Sequence, residues 1–194
     1  MSSLKSDPQL AALGLPETDA FDYLLIDGIK MEPVLKWVYQ HIDNPEWYPL
    51  YKNTRYQDVI DLSPCLVKVS IDSDIPYLFE SELGPKGSAI WVRSPYELEV
   101  LGSTLSRLLW ITTEGGRYLH YRFYDPTSLS RLIPALTPDE CAELYRGIES
   151  ITWFNAQQQT WQKMTLSIPE APLLQSSGVV FKPQWLDAIL TANE

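Results

Sequence analysis

Proline recurs in this chain where a helix would open, and that punctuation constrains the fold more than any other feature. In the first helical turn proline costs little, because the N–H it lacks has no partner there and its fixed φ is already helical. Glu32-Pro33 precedes Val34, Leu35, Val38 and Ile42, apolar residues at helical spacing. Ser94-Pro95-Tyr96-Glu97 has the form of a capping box and is followed by Leu98, Leu101, Leu105 and Leu108. Asp125-Pro126 leads into Leu129, Leu132, Ile133 and Leu136, with Asp125 placed to cap. Thr137-Pro138-Asp139-Glu140 is a second capping box, before Cys141, Leu144, Tyr145 and Ile148. Lys182-Pro183 opens a last helix carrying Trp185, Leu186, Ile189 and Leu190.

Strand patterns fall between these openings. Tyr23-Leu24-Leu25-Ile26 is a short apolar run closed by Asp27-Gly28, which reads as a buried strand and a turn. Cys65 to Ser70 and Ala89 to Val92 are similar. Trp110 to Thr113 and Tyr118 to Tyr124 flank Glu114-Gly115-Gly116-Arg117, a hairpin turn. In the second of these, Leu119, Tyr121 and Phe123 are expected on one face, and His120, Arg122 and Tyr124 on the other. Ile151 to Phe154 and Trp161 to Ile168 form a further pair across Gln157-Gln158-Gln159. Such interleaving predicts an α/β, or mixed α+β, fold. Its expected form is a central mixed sheet flanked by helices, with a smaller C-terminal lobe of helix and strand. Residues 1–22 are expected as a tail, 23–154 as the core domain and 155–194 as a C-terminal extension. Pro169 to Gly178 reads as a linker to the last helix.

With 194 residues, 45% of them hydrophobic, the chain is long enough to build a core without disulfides. Its two cysteines, Cys65 and Cys141, lie far apart, which fits a reducing compartment. The N-terminus lacks a signal-peptide pattern and no run approaches a membrane span, so a cytoplasmic location is expected. A formal net charge of −10 disfavours nucleic acid, whose affinity comes from cationic contacts. The acid is concentrated early, with a net of −8 over residues 1–100 and −2 over 101–194. Arg107, Arg117, Arg122 and Arg131 stand against only Glu114 and Asp125 in their stretch. Local ion pairs account for such an island, and a carboxylate-bearing partner is the alternative.

Enzyme signatures do not accumulate. There is no GxSxG, Walker A, GxGxxG or HExxH pattern, so no cofactor or metal is expected and the chain reads as a non-enzyme. Cys65 reads as a buried strand residue and His120 as structural or surface-facing. Gly84-Pro85-Lys86-Gly87 reads as a helix C-terminal turn. Asp27 and Asp125 each follow a strand and so fall on one sheet edge, a placement that acid–base chemistry uses. Ser94 and Asp125 are explained as helix caps, and Asp27 as part of the same structural motif. The abundant aromatics suit a binding surface, since Trp, Tyr and Arg anchor interfaces. Arg122, Tyr124, Trp153, Phe154 and Trp161 are the candidate partner-binding residues.

Several of these segments, taken in order, carry a resemblance. They are Tyr23 to Gly28, Asp61 to Val67, Ala89 to Ser94, the Leu-rich helix through Arg107, and Arg122-Phe123-Tyr124-Asp125-Pro126. Together they resemble the effector chaperones, or adaptors, of the type VI secretion system of Gram-negative bacteria. The likeness runs from Tyr23 to Phe154, departs at Ser63, where that family usually has Gly before the Pro, and carries nothing past Phe154. It implies a cytoplasmic adaptor that binds a secreted effector, often through the effector's N-terminal region, and loads it onto the C-terminal part of the VgrG spike. Two other readings stay open: an immunity protein that neutralises a toxin, and a small hydrolase using Asp27, Asp125 and His120.

Overall fold

The structure is a computed structural model that describes residues 20–166 and 179–190. Most of the expected tail and all of the Pro169 to Gly178 linker lie outside the described residues.

The apolar run near the N-terminus becomes β1 (Phe21–Ile26), in which Tyr23, Leu24, Leu25 and Ile26 are fully buried. A strand buried on both sides needs neighbours on both edges and layers on both faces, and β1 has them. It lies between β3 (Cys65–Val69) and β4 (Ala89–Ser94), with β2 (Trp47–Pro49) beyond β3. On the other flank β4 pairs with β7 (Ser150–Asn155), and β7 with β8 (Thr160–Thr165). All five pairings in this six-stranded sheet are antiparallel.

A second sheet of three strands has β5 (Trp110–Thr113) between β6 (Tyr118–His120) and β9 (Val179–Phe181). The hairpin turn forms where expected, with Gly116 supplying a φ of 75°. The β5–β9 pairing is parallel. The fold is therefore mixed α+β, but the parallel pairing expected in the central sheet belongs to this smaller one.

Helices cover the two faces of the large sheet unequally. Tyr23, Leu25, Leu66, Ile90, Val92, Ile151 and Trp153 face the main core. There they meet α3 (Leu98–Ser106), α4 (Pro126–Leu132), α5 (Pro138–Leu144) and α6 (Pro183–Leu190). Leu24, Ile26, Cys65, Val67 and Ala89 face a smaller core. It is roofed by α1 (Val34–His41) and by α2 (Ile75–Leu78) with the π turn Phe79–Leu83 that continues it. The described part of residues 155–194 is woven into these layers: β8 edges the large sheet, and Met164, Leu166, Phe181 and Trp185 join the main core.

The helix openings divide by what their side chains do. Asp125 caps α4 by accepting from the Ser128 N–H at 3.1 Å, with Pro126 in the first turn. Thr137 and Glu140 form a complete capping box on α5, and Pro183 starts α6. Pro33 sits one residue ahead of α1, at its N-cap. The Ser94 box is not formed: α3 starts at Leu98 behind Glu97, and Ser94 ends β4. Its hydroxyl is committed elsewhere, donating to the Gly147 carbonyl at 2.6 Å and accepting from the Tyr96 N–H at 3.1 Å. Ser94 thus ties β4 to the loop before β7.

The expected alternation through Tyr124 also fails. β6 ends at His120, and Tyr121, Phe123 and Tyr124 are all buried. The chain leaves the sheet there and dives under α4, so burial follows the core and not the pleat.

Candidate functional site

Two places draw in the residues singled out above. The first is an ion cluster around Arg122. Asp27 follows β1 in a tight turn, its Oδ1 accepting from the backbone N–H groups of Ile29 (3.0 Å) and Lys30 (3.2 Å). It therefore caps a turn, as a short carboxylate does well. Its Oδ2 accepts from the Arg122 guanidinium. Asp27 is 2% exposed, so this pair is desolvated on the carboxylate side. Asp125 stands beside the same guanidinium and accepts from Lys30 Nζ at 2.8 Å; Lys30 also donates to the Gly87 carbonyl at 2.9 Å. Burial works against ionisation of Asp125, but the Lys30 ammonium and the Ser128 N–H outweigh it and hold its carboxyl below the usual range.

Asp27 and Asp125 are thus drawn to the same pair of cations but do not share a sheet edge: Asp27 follows β1 of the large sheet, whereas β6 of the small sheet ends at His120 and Asp125 caps α4. Lys30 carries no sequence signal that marks it for this role.

His120 ends β6 as an exposed residue, with the rings of Tyr51, Tyr56 and Trp110 beside it at centroid distances of 6.3, 5.0 and 5.8 Å. Desolvation by these neighbouring rings first, then the Arg122 charge, lowers its imidazole below the ordinary value, although the side chain keeps an exposed edge. A depressed histidine stabilises the fold in its neutral form, fully so above the ordinary value of about 6.5, and that stability is lost as pH falls from there through the lower folded value. Thermal melts at about pH 7.5 and about pH 5.5 should show a larger drop for the wild type than for His120→Gln. Equal drops for the two chains would remove the contribution assigned to His120.

Other members of the arginine island also serve the fold. Arg107 Nη2 donates to the Glu143 and Leu144 carbonyls at 3.2 and 2.7 Å, closing the C-terminus of α5. Arg131 donates to the Ile189 carbonyl of α6 at 3.3 Å. Local structure accounts for these. Cys65 is 1% exposed, and burial pushes its thiol up to about 12, far from a nucleophile's range. Gly84 to Gly87 closes the π turn, with Gly87 at φ 64°. Among the described residues no three His, Cys, Asp or Glu side chains converge as metal ligands.

The second place is an aromatic shelf on the less covered face of the large sheet. The five candidate partner-binding residues separate here. Tyr124 is buried in the main core, and burial raises its phenol pKa. Trp153 is 3% exposed, with Nε1 donating to Ser130 Oγ at 2.8 Å. Arg122 is held by Asp27. Phe154 and Trp161 alone point to the other face, directly opposite one another on β7 and β8. Their rings lie 5.3 Å apart, and Trp161 reaches the Phe79 ring at 5.0 Å. Phe79 in turn meets Trp91 at 5.5 Å. Trp161 lies so close over Gly84 that a β-carbon there would collide with its ring, yet it remains 40% exposed. Beside the shelf a cavity of about 150 Å³ is lined by Phe154, Gly84, Lys86 and Lys30, among others.

The large antiparallel sheet thus carries a main core on one face and a smaller core on the other, with the aromatic shelf at its β8 margin. The family model for the domain of unknown function DUF4123 matches residues 23–143, and the chain belongs to that family. No curated protein and no solved structure matches the chain.

Proposed function

We propose that this chain is an effector chaperone of a type VI secretion machine, which holds an effector in the cytoplasm and delivers it to the VgrG spike. The observation that carries the reading is the DUF4123 match over residues 23–143, which overlaps the segments whose order resembles the effector adaptors. The aromatic corner supports it, since the exposed Trp161 ring, backed by the half-buried Phe154 and a rigid sheet, is the kind of anchor protein interfaces use. The commitment of Asp27 and Asp125 to cations, a turn and a helix cap also weighs toward a structural role for those carboxylates. Among the described residues no helix is long and apolar enough to cross a membrane.

Deleting the gene should block secretion of the effector encoded beside it and leave other effectors unaffected. Undiminished loading of that effector onto the spike would overturn the reading. Rescue of a susceptible cell by this chain alone would instead identify an immunity protein.

A further inference from the structure

The open edge of β8 has the hydrogen-bonding pattern of a strand waiting for a neighbour. Among the described residues β8 pairs only with β7 and ends the sheet. The Leu166 N–H donates to the Glu149 carbonyl at 2.8 Å, which brackets Ser150 and Thr165 as a pair that does not itself exchange hydrogen bonds. In an antiparallel ladder such pairs alternate with bonded ones, so Thr152–Lys163 and Phe154–Trp161 are of the same kind. The N–H and C=O groups of Trp161, Lys163 and Thr165 therefore point outward, away from β7. Their side chains stand on the same face as Phe154, so the backbone edge and the aromatic shelf form one surface.

A second copy of this chain is a poor occupant. Antiparallel pairing of two β8 edges about the middle of the outward-facing set Trp161, Lys163 and Thr165 places Lys163 against Lys163, and like charges directly opposite are unfavourable. A lysine in mid-edge is a common guard against edge-to-edge association. Lys163 has no salt bridge among the described residues. The opposite edge, β2, is only three residues long and ends in Pro49, so it offers much less to a partner strand.

We infer that the partner adds an extended segment to β8 as a seventh, antiparallel strand. That segment carries Asp or Glu opposite Lys163 and an apolar residue against Trp161. The inference deepens the adaptor reading and rests on it: the segment is a stretch of the effector. Backbone bonds supply the affinity in strand addition, and the side-chain pockets supply the choice of partner.

The test uses short overlapping peptides tiled across the effector encoded beside this chain's gene, with binding to the full chain followed by fluorescence anisotropy. Lys163→Pro removes an outward N–H that makes no ladder bond among the described residues, so the melting temperature should hold while affinity falls by at least about tenfold. Lys163→Ala keeps the backbone edge and should retain most binding. Lys163→Glu should weaken the acidic peptide, and exchanging that peptide's acidic residue for Lys should restore it. Unchanged binding by a normally folded Lys163→Pro chain would overturn the strand addition and leave the adaptor reading standing. If the wild-type chain bound neither the peptides nor the intact effector, both would fall.

Discussion

Trp153→Ala should lower the unfolding free energy by about 4 kcal/mol, while Trp161→Ala should cost only about 1 kcal/mol. The two residues belong to adjacent paired strands and have the same composition value to a sequence reader. Trp153, however, points into the main core, is 3% exposed and has its indole N–H bonded to Ser130. Truncation there leaves a cavity among close-packed neighbours and breaks the bond to the Ser130 hydroxyl. Trp161 lies on Gly84 with much of its ring in water, so its loss leaves an open surface that solvent fills. Urea unfolding of both variants measures the contrast, and equal costs would show that the two faces of β7 and β8 are not as different as described. The functional readout should run the other way. Trp161→Ala should weaken effector retention in a folded chain, whereas any loss with Trp153→Ala should track its instability.

Arg122→Ala is expected to cost about 3 kcal/mol, because it leaves the nearly fully buried Asp27 carboxylate without its cation. The effect should be little altered by salt, which screens exposed pairs far more than buried ones. Asp27→Asn keeps an oxygen for the Ile29 and Lys30 N–H groups while removing the charge that Arg122 answers. A double-mutant cycle between Arg122→Ala and Asp27→Asn should give a coupling of about 2 kcal/mol. Costs that simply add would mean that the pair does not hold the β1 turn to the segment before α4. Such a strap matters to the adaptor reading, since it also positions Asp125 and Lys30 next to the cavity beside the shelf.

Local devices were readable from the chain because their physics is local. Asp125 next to Pro126, and Thr137 three residues before Glu140, cap their helices by bonds to backbone groups within one turn. Tyr23 to Ile26 is a short unbroken apolar run closed by Asp27-Gly28, the length and punctuation of a strand covered on both faces. Ser94 shows the limit. Its tetrapeptide has the letters of a capping box, but a carbonyl 53 residues away claims the hydroxyl.

The candidate site depended on more distant choices. Period-two alternation separates Trp153 from Phe154, yet it says nothing about which of those faces carries the main core. The antiparallel order of the large sheet, with β8 at its margin, was equally invisible, because strand pairing is decided by contacts between distant segments. Sequence by itself determined the mixed α+β class, most helix starts, the central buried strand and the family resemblance. Tertiary structure alone decided that Asp27 meets Arg122, that Trp153 and Tyr124 are core, and that Phe154, Trp161 and the edge of β8 face outward. The reason is physical: a helix cap is settled within a single turn, whereas burial and edge exposure exist only after every layer has been placed.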